Sequence, residues 1–317
     1  MDTAADVRIP QRADIEAAHV RVTPHVRETP VIRPGVGAFG LDADLTLKLE
    51  LLQHTGSFKP RGAFSKMLAS DVPPVGVIAA SGGNFGLAVA YAARELGHRA
   101  EIFVPSTSPA AKIDRVREQG ADVHVIEGYY DDASRAAHAR AVETGACWMH
   151  PFDQPEVVAG QGTIGIELAA QVPDADTVLV STGGGGLLAG VAAWFRGEVR
   201  VLGVEPFDAR CLDAALEAGA PVDVEVGGIA ADSLGTARAG DIAFAVARAY
   251  VDGVVLVTDE AIRDAQRALW RELRLIAEPG GAAALAALTS GGYRPAPGER
   301  VVVLICGANC DPSTVTG

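Results

Sequence analysis

Aromatic residues, lysine and cysteine are all scarce in this chain of 317 residues. Phe, Trp and Tyr together make up only 5%, while Ala, Val, Leu and Gly dominate. That composition suits a parallel sheet covered by helices better than an aromatic-rich sandwich. Four cysteines (Cys147, Cys211, Cys306, Cys310) are too few for a disulfide framework. Cys306 and Cys310 have no second Cys/His pair near them, which argues against a zinc site. Apolar runs such as Gly185 to Phe195 fall far short of the roughly 18 residues that a membrane span needs. The opening residues, MDTAADVRIPQRAD, carry no apolar stretch of the kind a secretion signal has, so a cytoplasmic protein is expected. Positive charge is also in deficit. With 27 Lys and Arg against 40 Asp and Glu, the net charge is −13. Neither nucleic acid nor an anionic membrane is expected as a partner. A small anionic substrate, bound by local groups, is not excluded.

What the chain does have is alternation. Short apolar, β-branched runs read as strands at Leu45–Glu50, Val75–Ala79, Ala100–Val104, Asp122–Glu127, Thr177–Val180, Val199–Val204, Val254–Thr258 and Val301–Ile305. Alanine-rich helical stretches lie between them, such as Phe85–Leu96, Pro109–Gln119, Asp132–Thr144, Pro155–Gln171, Leu187–Phe195 and Asp259–Leu275. Strand and helix alternating across short gaps means βαβ units and parallel sheets. The units form two sets, one from about Val75 to Cys147 and one from about Thr177 onward. The opening residues are expected to join the second set. Functional groups should gather at the carboxyl ends of the strands, in the cleft between the two.

Lysine is worth following because arginine is the habitual cation here. Only Lys48, Lys59, Lys66 and Lys112 are lysine, against 23 arginines. An arginine cannot lose its proton near neutral pH, whereas a lysine in the right surroundings can. Lys59 lies in Glu50-Leu-Leu-Gln-His-Thr-Gly-Ser-Phe-Lys-Pro-Arg-Gly-Ala63, a small-residue turn between an apolar run and a helix-like stretch. Two readings stand side by side: an amine that condenses with a carbonyl cofactor, and a surface lysine at a helix start.

Three loops fall at strand ends. Ala80-Ser81-Gly82-Gly83-Asn84-Phe85-Gly86 would let backbone N–H groups converge at a helix N-terminus, a natural site for a carboxylate or phosphate. It would serve equally as a tight packing turn. Ser181-Thr182-Gly183-Gly184-Gly185-Gly186-Leu187 concentrates four glycines, a costly choice in conformational entropy unless backbone must wrap a ligand. The helix that follows offers its positive end to an anion. Gly184, Gly186 and Ala189 also fit G-x-G-x-x-A, with Glu205 ending the next strand, so a dinucleotide enzyme remains open at this point. Ile305-Cys306-Gly307-Ala308-Asn309-Cys310-Asp311 closes the last apolar strand and would suit the edge of a cofactor or a small core residue.

Taken together, these segments resemble the fold-type II pyridoxal-phosphate enzymes, and within them the serine/threonine dehydratase and serine racemase family. TGSFKPRGA (from Thr55), SGGN (from Ser81), HPFDQPEVVAGQGTIGIE (from His150), GGGGL (from Gly183), GVEP (from Gly203), AEPGGAAALAAL (from Ala277) and CGAN (from Cys306) occur in the family's order across nearly the whole chain. The resemblance implies an α/β fold of two open, mostly parallel twisted sheets flanked by helices, with the active site between them. It implies a large cofactor-binding domain at 1–68 plus 150–317 and a small domain at 69–149 that carries the substrate-carboxylate loop. Pyridoxal 5'-phosphate is the implied cofactor. Lys59 is the implied catalytic, Schiff-base lysine. Phe58, Asn84, Gly183, Gly184, Gly185, Gly186, Leu187 and Cys306 complete the cofactor site. Ser81, Gly82, Gly83, Asn84 and Phe85 are the implied substrate loop. On this resemblance Gly184 and Gly186 hold a phosphate and Glu205 is no ribose ligand. A side chain at Gly184 is expected to fill the cradle.

The departures from the family are informative. Gly82 stands where its racemases carry a serine, which points to elimination over racemisation. Phe85 replaces a common histidine and could reshape the pocket. Glu205 and the Ala209 carbonyl match two family metal ligands, but the third position is Cys211, and a hard cation prefers oxygen. Whether a divalent or monovalent cation binds is thus left open. The implied activity is elimination of water and ammonia from L-threonine or L-serine by a homodimer. The alternatives are a lyase for a bulkier or acidic β-hydroxy amino acid, of 3-hydroxyaspartate or phenylserine type, and an amino-acid racemase.

Overall fold

The computed structural model describes residues 7–316, so the first six residues of the opening segment lie outside it. Its ten strands are β1 (Val31–Ile32), β2 (Asp44–Lys48), β3 (Val77–Ala80), β4 (Ala100–Pro105), β5 (Asp122–Ile126), β6 (Cys147–Met149), β7 (Thr177–Ser181), β8 (Arg200–Pro206), β9 (Val254–Val257) and β10 (Arg300–Leu304). The helices that matter below are α1 (Arg12–Val22), α2 (Lys59–Leu68), α3 (Asn84–Leu96), α4 (Ala110–Arg117), α5 (Tyr130–Thr144), α6 (Pro155–Gln171), α7 (Gly186–Phe195), α8 (Cys211–Ala218), α9 (Ala231–Leu234), α10 (Asp241–Tyr250), α11 (Asp259–Leu273) and α12 (Pro279–Thr289).

Two sheets result. The larger has the order β1-β2-β10-β7-β8-β9 and the smaller β5-β4-β3-β6. Every neighbouring pair is parallel except β1 with β2. The eight expected strands are all present. The two that sequence periodicity does not reveal, β1 and β6, are two and three residues long, too short to display a repeat. The strand expected from Val75 begins at Val77, because the Gly76 N–H first closes a turn on Pro73 O at 2.8 Å.

Helices cover both faces of the larger sheet, as buried parallel strands require. Along β10 the pleat sends Val302 and Leu304 to one face, where α1, α6, α7, α8 and α10 pack, and Val301 and Val303 to the other, under α11 and α12. Helix α12 is buried continuously from Gly280 to Leu288, which explains its alanines: only small side chains let it sit between a sheet and another helix. In the smaller sheet, Val77, Ala79, Ile102 and Val104 meet α2, α3 and α4, while Ile78, Ala80 and Phe103 meet α5. Among the described residues, no helix is long and apolar enough to cross a membrane.

Helix α2 is fixed by charge as well as by packing. Arg61 is fully buried and forks onto Glu50, Nε to Oε2 and Nη2 to Oε1, both at 2.8 Å. Its Nη1 reaches Glu167 Oε1 at 2.6 Å, and Glu167 also takes the buried ammonium of Lys48 at 2.5 Å. The cluster joins β2, α2 and α6. It lies two residues beyond Lys59.

Candidate active site

The three strand-end loops meet. The turn carrying Lys59 is stitched to the end of β10: Phe58 N–H donates to Cys306 O at 3.1 Å, Ala308 N–H to Gly56 O at 2.9 Å, and Ser57 bridges Gly307. The loop after β3 and the glycine loop after β7 face the same opening. Around one cavity of about 1120 Å³ lie Phe58, Lys59, Ser81, Gly82, Gly83, Asn84, Phe85, Gly183, Gly184, Gly185, Gly186, Leu187 and Cys306. The cofactor and substrate residues expected from sequence are thus brought together. Glu205 and Ala209 lie outside that lining.

Lys59 is the first residue of α2, and its Nζ donates to Pro151 O at 3.0 Å. Loss of solvent lowers its pKa to about 8, against the opposing pull of Cys306 and Glu278. The Phe58 and Phe85 rings stand 5.1 and 5.5 Å from the amine. Cys306 is buried, and burial first, then the nearby Glu278 charge, push its thiol up to about 12. It is therefore a neutral group, and its Sγ lies 3.5 Å from Gly280 O. His150 is neutral as well. Burial brings its pKa down to about 4, and its Nδ1 accepts from Asp153 N–H at 2.9 Å.

The glycine loop offers donors. Among the described residues, nothing accepts from the N–H groups of Gly184, Gly185, Gly186 or Leu187. Four free donors at the positive end of α7 form an anion site, and pyridoxal phosphate fits it, with Lys59 available to the aldehyde. The reason for glycine differs from the sequence expectation. A Cβ at Gly184 would sit 2.5 Å from the Phe152 ring, and one at Gly183 would sit 2.7 Å from Leu234 O. Those side chains would strike the loop's own packing rather than fill the cradle. Gly185 has φ +87°, so it also needs left-handed backbone.

Several groups at the cavity were not singled out by the sequence. Glu278 is buried and accepts from Asn84 Nδ2 at 2.6 Å. Asn309 Nδ2 donates to Asn84 Oδ1 at 2.7 Å, and Arg115 to Asn309 Oδ1 at 2.9 Å. Burial holds the Glu278 carboxyl up at about 7. The AEPGG segment contained the signal, since Glu278 is the cap residue before Pro279 at the start of α12. A cap before proline reads equally well as ordinary helix chemistry. Phe152 and Ser108 also line the cavity.

Glu205 ends inside the protein. Its carboxylate accepts from Leu212 and Asp213 N–H, both at 2.9 Å, at the first turn of α8. Its pKa is raised to about 7, by burial above all. A carboxylate so engaged is unavailable to a ribose, and the dinucleotide reading falls.

This architecture and site place the chain in a class. The chain matches the family model for pyridoxal-phosphate dependent enzymes over residues 22–307 and belongs to that family. Within it, the chain is 36% identical to the biosynthetic L-threonine dehydratase IlvA of Haemophilus influenzae, covering 96% of this chain and 62% of that protein. It therefore spans less than two thirds of that relative's length. It is likewise 36% identical to the phenylserine dehydratase of Ralstonia pickettii, covering 96% of this chain and 95% of that one. Among solved structures, maize serine racemase superposes with a TM-score of 0.90 at 33% identity, covering 97% of this chain and 96% of the racemase.

Proposed function

We propose that this chain is a pyridoxal-phosphate-dependent ammonia-lyase that eliminates water from a small β-hydroxy amino acid, L-threonine or L-serine, leaving a 2-oxo acid and ammonia. The observation that carries this reading is a single amine, Lys59, with its pKa lowered to about 8, at a cavity that also holds the free N–H groups of Gly184 to Leu187 and the neutral thiol of Cys306.

When bound, the cofactor supplies an electron sink for the substrate's α-carbon. The Lys59 amine, neutral above about pH 8, takes the α-proton as general base. The N–H groups of Gly184, Gly185, Gly186 and Leu187 hold the phosphate. The N-terminus of α3, with Ser81, Gly82, Gly83 and Asn84, orients the substrate carboxylate. Cys306, a thiol with its proton on, cannot keep a pyridine nitrogen protonated as a carboxylate could. With the cofactor bound, the proton taken up by Lys59 would be available to the departing β-hydroxyl so that it leaves as water, and the enamine freed from the site would hydrolyse to the oxo acid and ammonia. Large sheet and small sheet would act as a cofactor domain (1–68 plus 150–317) and a substrate domain (69–149). The proposal includes a homodimer in the cytoplasm, where four free thiols are at home.

The test is ammonia release from purified protein with L-threonine, L-serine, 3-hydroxyaspartate and phenylserine. Lys59→Ala should lose activity toward all of them by about a thousandfold or more. Borohydride reduction and peptide mapping should place the pyridoxyl label on Lys59. A label on Lys48, Lys66 or Lys112, or uptake of NAD by a colourless protein, would sink the reading.

A specific observation favours a second reading, a lyase for a bulkier substrate. Phe85 is buried at the cavity beside Lys59, and Tyr129 and Tyr130 line the same space. These rings could pack on a β-phenyl group, the substituent named for the Ralstonia relative. In that case phenylserine, not threonine, would give the highest kcat/KM.

A further inference from the structure

The family resemblance implies a cation that would be held by Glu205, the Ala209 carbonyl and residue 211. The donors here do not fit one. Both oxygens of Glu205 are taken by the Leu212 and Asp213 N–H groups. Asp213, the next carboxylate, is paired with Arg210 at 2.6 Å. Residue 211 supplies sulfur, and it points at the cradle itself: Cys211 Sγ lies 3.4 Å from Gly183 O and 3.8 Å from Glu205 Oε1. A thiol has one proton to donate, and the Gly183 carbonyl is the nearer acceptor. A group donating that proton is a thiol and not the thiolate that a metal would need. Among the described residues, no three His, Cys, Asp or Glu side chains gather in a way that could hold a metal.

We infer that Cys211 takes the place of the cation and is a positioning residue for the cofactor phosphate. The link is geometric. In a trans peptide the carbonyl and the following N–H point in opposite directions. Holding Gly183 O against Cys211 therefore aims the Gly184 N–H the other way, and that N–H has no acceptor among the described residues. Glu205 keeps the start of α8 in place so that Cys211 meets the loop. Glu205, Cys211 and Leu212 are all buried. Cys211, Leu212 and Glu205 are thus a covalent-chain substitute for what a bound ion would do.

This inference rests on the reading that the glycine loop holds a phosphate, and the test separates the two. Apo protein is titrated with pyridoxal phosphate and with pyridoxal, with excess EDTA or with Mg²⁺ or Ca²⁺, for the parent, Cys211→Ala and Cys211→Ser. The parent should bind the phosphate form far more tightly, with an affinity and a thermal midpoint that neither EDTA nor the cations change. Cys211→Ala should weaken pyridoxal phosphate about tenfold, the equivalent of one lost hydrogen bond, and leave pyridoxal unchanged. Cys211→Ser, which keeps a donor, should recover most of the loss. Parent affinity that falls in EDTA and returns with Mg²⁺ or Ca²⁺ overturns the inference, and this arm needs no variant to fold. So does Cys211→Ala binding as tightly as the parent. A parent that binds pyridoxal as well as its phosphate overturns the cradle reading underneath.

Discussion

A Cβ added at Gly82 would collide with the hydroxyl of Ser108, which reaches over from the loop after β4 and lines the same cavity. The position that lacks a side chain is thus not empty of a hydroxyl, only supplied with one from elsewhere. The expectation that elimination outruns racemisation, drawn from the missing side chain at 82, therefore has to be tested against the Ser108 hydroxyl as well. Gly82→Ser alone has to push Ser108 aside and should lose activity of every kind. Gly82→Ser with Ser108→Gly moves the hydroxyl from one loop to the other and should fold normally. If the side chain at 82 decides the outcome, the double variant should form a larger fraction of D-amino acid than the parent, read by chiral chromatography. An unchanged fraction in a well-folded double variant would show that residue 82 does not control the reaction's course. The same scale corrects the lysine argument. Lys59 was legible because its surrounding motif is long and its neighbours are small. Scarcity alone was a weaker sign than it looked. Lys48 is just as rare and is fully buried, yet its ammonium is held by Glu167, Thr29 O and Gln171. A compact point charge suits that cage better than a planar fork.

Among the elements, α2 has the most depending on it, since it carries Lys59 at its first turn and Arg61 in its second half-turn. Arg61→Ala would leave Glu50 and Glu167 buried with one cation fewer. Removing one partner of a buried cluster costs about 3–5 kcal/mol, which urea unfolding would measure directly. Arg61→Lys keeps the charge but not the two-pronged contact to Glu50, so it should fall between parent and alanine. A loss below about 1 kcal/mol for Arg61→Ala would mean that water replaces the guanidinium. None of this cluster could be read from the sequence. Its members sit at residues 48, 50, 61 and 167, and no local pattern announces that a lysine in a strand and a glutamate in a helix will meet. The strands and the three loops were legible for the opposite reason. Apolar runs, glycine clusters and helix starts are local signals, and parallel topology then brings strand ends together without further instruction. Strands β1 and β6 escaped because pairing, not composition, defines them.

Over the whole molecule, the two sheets are tied across the cleft by few polar contacts. Asn84 at the start of α3 donates to Glu278, Asn309 joins Asn84 to Arg115, and Lys112 of α4 pairs with Asp232 of α9. Glu278 makes that tie sensitive to pH. Its folded carboxyl holds a proton up to about 7, against an ordinary value of 4.5. Between those values the native state binds more protons than the unfolded chain, so stability falls as pH rises. The loss should be on the order of 1–3 kcal/mol for the apo protein. Glu278→Gln should remove about half of that slope in denaturation curves taken from pH 5 to 8, since Glu205, raised to about 7 as well, contributes a comparable share. An unaltered slope would show that Glu278 ionises normally in the fold. The order of the larger sheet has a different consequence, which concerns time. Strand β2 pairs with β10, Asp44 opposite Arg300, so two neighbours in the sheet leave the ribosome roughly 10–50 s apart at ordinary rates of synthesis. Until then β2 and β7 present facing edges with nothing between them, and such edges invite other strands. The Lys59 turn waits as well, because its partners Cys306 and Gly307 follow β10. The nascent chain therefore carries an aggregation-prone gap until β10 is made, and the Lys59 turn gains its backbone partners only after that strand.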